Sequence, residues 1–127
     1  MTGRILVVDD DDDIREMMSM ALESRGYEVA TARDGLDALQ QVRSEAPPSL
    51  IVLDLMMPRM DGEQFLRTLR AGERERIPVV IMSGHITAES TARELHASGT
   101  LRKPVDLEEL VRAVERYKQV TATAPSQ

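Results

Sequence analysis

A chain of 127 residues is long enough for one domain with a complete core, and its 42% hydrophobic and 30% charged content is ordinary for a globular protein. The absence of cysteine excludes disulfides, thiol nucleophiles and Cys-based zinc sites, and a net charge of −6 disfavours a nucleic-acid partner, which needs a basic face, while suiting a metal cation. No apolar run approaches the roughly 18 residues of a membrane span, and the N-terminus turns acidic where a signal peptide would be cleaved, so no membrane partner and a cytoplasmic location are expected.

Ile5–Val8 is a uniformly aliphatic run that reads as a strand buried on both faces. It ends in five aspartates, Asp9 to Asp13. Ile14, Met17, Met18, Ala21 and Leu22 then recur at helical spacing, with Asp13 and Glu16 spaced as a capping box and Gly26 as the stop. The alternation of Tyr27–Ala32 predicts an edge strand. Asp34-Gly35 turns the chain into a second helix with Leu36, Leu39 and Val42 inward, and Pro47-Pro48 stops it. Leu50–Leu53 is the central buried strand and ends at Asp54. A third helix begins near Gly62 and buries Phe65, Leu66 and Leu69. Val79–Met82 forms a fourth strand ending at Ser83-Gly84, followed by a thin helix over about 87–96. Thr100–Arg102 forms a fifth strand ending at Lys103-Pro104. Asp106 opens the last helix, whose stripe is Leu107, Leu110, Val111, Val114 and Tyr117. The expected domain is 1–119, with a short flexible tail over 120–127 and no output domain.

A βα unit repeated five times gives an α/β fold, a single doubly wound parallel sheet covered by helices on both faces. Such a sheet collects the carboxyl ends of its strands on one edge, where ligands bind. That edge would bring together Asp9, Asp10, Asp54, Ser83 and Lys103. Clustered carboxylates repel and raise one another's pKa unless a cation neutralises them. Oxygen ligands without Cys or His clusters suit Mg2+ or Mn2+. A metal, an ammonium and a hydroxyl together suit a phosphoryl group, and an aspartate can be the nucleophile that forms an acyl phosphate.

The pattern VVDDD, then LDLMMPRMDG, then MSG, then KP resembles the receiver domain of two-component response regulators, in the stand-alone, chemotaxis-regulator-like form. The resemblance runs from about Arg4 to Tyr117 and implies a flavodoxin-like (βα)5 fold with strand order 2-1-3-4-5. It implies that Asp54 accepts a phosphoryl group from a sensor histidine kinase or a phosphotransfer protein. Asp10 would bind Mg2+ or Mn2+ directly, Asp9 directly or through water, and the Met56 backbone carbonyl would be a further ligand beside Asp54. Ser83 would hydrogen-bond one phosphoryl oxygen, Lys103 would pair with another, and the Lys103-Pro104 peptide would be cis, as an X-Pro bond permits. The added charge, roughly −2, would shift the face formed by the fourth helix, fifth strand and fifth helix and so control binding to a downstream protein.

One position departs from the family pattern. Receivers carry Tyr or Phe three residues before the lysine; here that position is Thr100. Met56 and His85 occupy the positions that flank the attacking water in receivers, and a bulky Met56 would lengthen the phosphoryl lifetime. The chain is expected not to be an enzyme beyond assisting its own phosphorylation and dephosphorylation. The alternatives are an unphosphorylated pseudo-receiver scaffold and a receiver excised from a hybrid kinase or a transcription factor.

Overall fold

The computed structural model describes residues 4–44, 47–55, 61–72, 77–84, 93 and 97–123. Its strands are β1 (Arg4–Val8), β2 (Glu28–Ala32), β3 (Leu50–Asp54), β4 (Val79–Ser83) and β5 (Gly99–Arg102). Its helices are α1 (Asp12–Glu23), α2 (Gly35–Val42), α3 (Gly62–Ala71) and α4 (Leu107–Thr123). The strands pair in parallel in the order β2-β1-β3-β4-β5.

Strand periodicity explains why the buried strands are apolar throughout. Successive side chains point to opposite faces. Leu6 and Val8 of β1, Ile51 and Leu53 of β3, and Val79 and Ile81 of β4 face one side, against α2 and α3. Ile5 and Val7, Leu50 and Val52, and Val80 and Met82 face the other, against α1 and α4. With helices on both faces, no position in these strands can be polar until the strand ends.

Each of these four helices opens on an aspartate. Asp11 caps α1, its side chain accepting from the amides of Asp13 and Ile14. Asp34 caps α2, and Asp61 caps α3 in a reciprocal capping box with Gln64. Asp106 Oδ1 accepts from the Glu108 amide at 2.8 Å at the start of α4. The cap of α1 is therefore Asp11 and not Asp13. In a run of five aspartates the first residue beyond the turn, extended at φ −87 and ψ 116, takes the role. Gly26 ends the α1 turn with φ +89, a conformation that disfavours any side chain.

Two further expectations are corrected. Met17 is 53% exposed, and α1 buries Met18 and Leu22, which are four apart. Leu36 is 44% exposed, because α2 begins at Gly35 and its inward stripe is Gly35, Ala38, Leu39 and Val42. The last helix runs to Thr123. The stop signal in the sequence is Pro125, which disfavours helix at the residue before it. The helix expected over about 87–96 lies outside the described residues except for Arg93, which is helical and exposed.

Gly62 is the tightest joint in the fold. Its amide donates to Leu55 O at 3.1 Å. A Cβ at this position would stand 2.3 Å from Asp54 O and 2.6 Å from Leu55 Cα, both backbone atoms that cannot swing away. Gly62→Ala must therefore separate α3 from the end of β3, and overpacking of this kind costs about 1–3 kcal/mol. A urea melt checks this: the midpoint should fall, and an unchanged midpoint would show that the joint has slack.

Candidate functional site

The site begins where the apolar strands end. β1 and β3 pair from Ile5↔Leu50 to Val8↔Leu53, so their next residues, Asp9 and Asp54, emerge side by side. Both continue the parity of the α1 and α4 face, and both are buried, at 0% and 2% exposure. Asp10 is exposed. Carboxylate oxygens of Asp9, Asp10 and Asp54 all lie within 4.8 Å of one another.

Lys103, just beyond β5, enters the same cluster. Its Nζ lies 3.1 Å from Asp54 Oδ2 and 3.3 Å from Asp9 Oδ2. Burial would lower its pKa, but hydrogen bonding to Asp54 and the charges of Asp54 and Asp9 outweigh that, and the ammonium is held above the ordinary lysine value. The Lys103 amide donates to Ser83 O at 3.2 Å, which ties the ends of β4 and β5 together. Ser83 is itself buried, at 4% exposure. The Lys103-Pro104 peptide is cis.

Besides Lys103 and the bond from the Asp9 amide to Ala32 O, two groups at the start of α1 hold Asp9 in place. Its Oδ1 accepts from the Asp11 amide at 2.9 Å. Its backbone carbonyl accepts from Arg15 Nη1 at 2.8 Å, and the same guanidinium pairs with Asp12. Arg15 is a positioning residue that sequence reasoning missed. Its only signal is that it lies one helical turn inside α1, facing back toward the strand end.

Asp9 Oδ2 is fully buried and has no aligned hydrogen-bond donor among the described residues, only the ion pair with Lys103. A buried carboxylate oxygen left in that condition is costly unless something charged approaches it. Three converging carboxylates, oxygen donors alone and one under-satisfied buried oxygen fit a hard divalent cation.

The structure thus brings Asp9, Asp10, Asp54 and Lys103 together, with Ser83 at the adjoining strand end. Thr100 lies on β5 and is exposed, so no aromatic stands on that side of the strand at this position. Met56 and His85 lie outside the described residues.

Fold and site together define a doubly wound α/β protein of the flavodoxin-like kind, with a lysine-bridged carboxylate cluster at the ends of its strands. The family model for the response regulator receiver domain matches residues 5–115. The chain belongs to that family of two-component systems. Over 113 residues it is 41% identical to the response regulator MprA of Mycobacterium tuberculosis, covering 87% of this chain and 48% of MprA. It is 32% identical to the chemotaxis response regulator CheY4 of Vibrio cholerae, with a TM-score of 0.84 over 91% of this chain and 98% of that one. Against NtrX of Brucella abortus it is 33% identical, with a TM-score of 0.86 over 99% of this chain and 29% of NtrX. The chain therefore spans about half the length of MprA. Among the described residues no helix is long and apolar enough to cross a membrane.

Lys103 gives the site a measurable pH signature. A group whose pKa is raised on folding stabilises the fold in full below its unfolded value, and that stabilisation is lost as pH rises through the folded value. The chain has only two lysines, Lys103 and Lys118, so their side-chain NMR signals are readily assigned. The Lys103 signal should titrate above the ordinary lysine value and move down in Asp54→Asn. Titration of Lys103 at the ordinary lysine value would mean that the ion pairs do not form.

Proposed function

We propose that this receiver is a phosphorylation-dependent switch in which Asp54 is the phosphoacceptor. The observation that carries this reading is the contact of one ammonium, Lys103, with both Asp9 and Asp54 at a buried strand edge. A carboxylate oxygen of Asp54 attacks the phosphorus of a phosphohistidine on a sensor kinase or phosphotransfer protein. The P–N bond breaks, and the imidazole leaves with the electron pair and takes a proton from solvent. The product is an aspartyl phosphate. Water attacking the same phosphorus breaks the new O–P bond and releases inorganic phosphate. The chain assists these two steps and is otherwise not an enzyme.

Asp9, Asp10 and Asp54, with the Met56 carbonyl, would hold Mg2+ or Mn2+. Such an ion supplies charge neutralisation for the phosphoryl oxygens. Lys103 leaves its carboxylate partners in part and pairs with a phosphoryl oxygen, and the Ser83 hydroxyl donates to another. Because the Lys103 amide is bonded to Ser83 O, the ends of β4 and β5 move together. The change is a shift between two states already within a few kcal/mol of each other. The surface that reads it includes β5 and α4 and binds a downstream protein, without direct contact to nucleic acid or membrane.

The test is intact-protein mass after incubation with Mg2+ and a small acyl-phosphate donor. The mass of one added phosphoryl group is expected, absent in Asp54→Asn and absent without Mg2+. Addition to Asp54→Asn at the wild-type level would place the acceptor elsewhere.

A further inference from the structure

The family's strand aromatic is missing at Thr100, but an aromatic does press on β5 from another direction. Gly99, Leu101 and Lys103 alternate onto one side of the strand, the side of the α1 and α4 face. Leu101 is buried there among Val80, Met82 and Val114. Lys103, two residues on, reaches Asp54. Gly99, two residues back, lies under the ring of Tyr117 from α4. A Cβ at Gly99 would stand 2.7 Å from Tyr117 Oη and 2.8 and 2.9 Å from the ring carbons Cε2 and Cζ. The ring thus fills the space of the absent side chain.

We infer that Tyr117 is the positioning residue that couples α4 to the lysine end of β5, doing from the helix what Thr100 cannot do from the strand. Gly99, Leu101 and Lys103 run along one side of a single strand, from the Tyr117 ring at one end to the phosphoacceptor at the other. A displacement of Lys103 slides or tilts β5, and the ring has no gap over Gly99 in which to absorb it. It does have somewhere to go. An open cleft of about 240 Å3 adjoins it, lined in part by Thr100, Glu109 and Arg112. The Arg116 guanidinium stands 5.7 Å from the ring centroid and travels with it. The ring's movement therefore changes the shape and charge of the α4 and β5 surface.

This inference rests on the phosphoacceptor reading, and one spectrum separates the two. The chain has two tyrosines and no tryptophan. Protein labelled with 3-fluorotyrosine gives two 19F signals, assigned with Tyr27→Phe, and the acyl-phosphate mimic beryllofluoride carries its own 19F signal when bound with Mg2+. The Tyr117 signal should shift in proportion to the bound-fluoride signal, while both stay unchanged in Asp54→Asn. In Gly99→Ala the new methyl pushes the flexible ring aside without breaking the strand. The bound-fluoride signal should persist there and the Tyr117 signal should no longer follow it. Bound fluoride with an unmoved Tyr117 overturns the inference alone, as does a Tyr117 signal that still tracks occupancy in Gly99→Ala. No bound fluoride in the wild type overturns the phosphoacceptor reading as well.

Discussion

Two carboxylates are held out of water at adjacent strand ends, with a single ammonium between them, and the rest of the fold is arranged around that charge balance. Like charges repel more strongly in a buried setting than in water, and an uncompensated buried charge is destabilising. Asp9 and Asp54 stay where they are because the β1–β3 register places them together and Lys103 touches both. A parallel sheet makes this possible. Its strands all end at one edge, so the ammonium from β5 can reach acids from β1 and β3 across β4.

The same chemistry explains why so many aspartates crowd the strand-to-helix junctions without acting alike. Asp9 and Asp54 are the first residues past the apolar alternation, and they point inward. Asp11, Asp34 and Asp61 lie at the helix starts, where their side chains accept from exposed amides. At the end of β1 an offset of only two residues separates the site residue Asp9 from the cap Asp11. Gly62 allows α3 to begin against the backbone of Asp54. Arg15 holds the backbone of Asp9 from inside α1.

Much of this was legible in the sequence because its signals are strong. Uniformly aliphatic runs bounded by Asp54, Ser83 and the Asp9-Asp10 pair mark buried parallel strands, and βα alternation gives the class. The strand order and the roles of the site residues came from the family pattern. Other features were not legible for definite reasons. Both Met17 and Met18 satisfy a helical period, and only the placement of α1 against the sheet decides that Met18 is the buried one. Leu36 has the composition of a core residue, yet the first turn of α2 faces outward there. The cap among five aspartates depends on where the chain turns. The contact of Tyr117 with Gly99 depends on how α4 crosses β5, and no local pattern encodes that. Met56 and His85 lie outside the described residues.

The charge balance has one unfilled term, since three carboxylates face one ammonium and Asp9 Oδ2 has no aligned donor among the described residues. The most direct test is the urea midpoint with and without Mg2+ in the unphosphorylated protein. A ligand that binds only the folded state adds roughly 2.7 kcal/mol of stability at a hundredfold excess over its Kd. Mg2+ should raise the wild-type midpoint in a saturable way, and Asp9→Asn and Asp54→Asn should largely lose the effect. A midpoint indifferent to Mg2+, or raised equally in all three proteins, would contradict this, because the cluster would then be balanced by Lys103 alone.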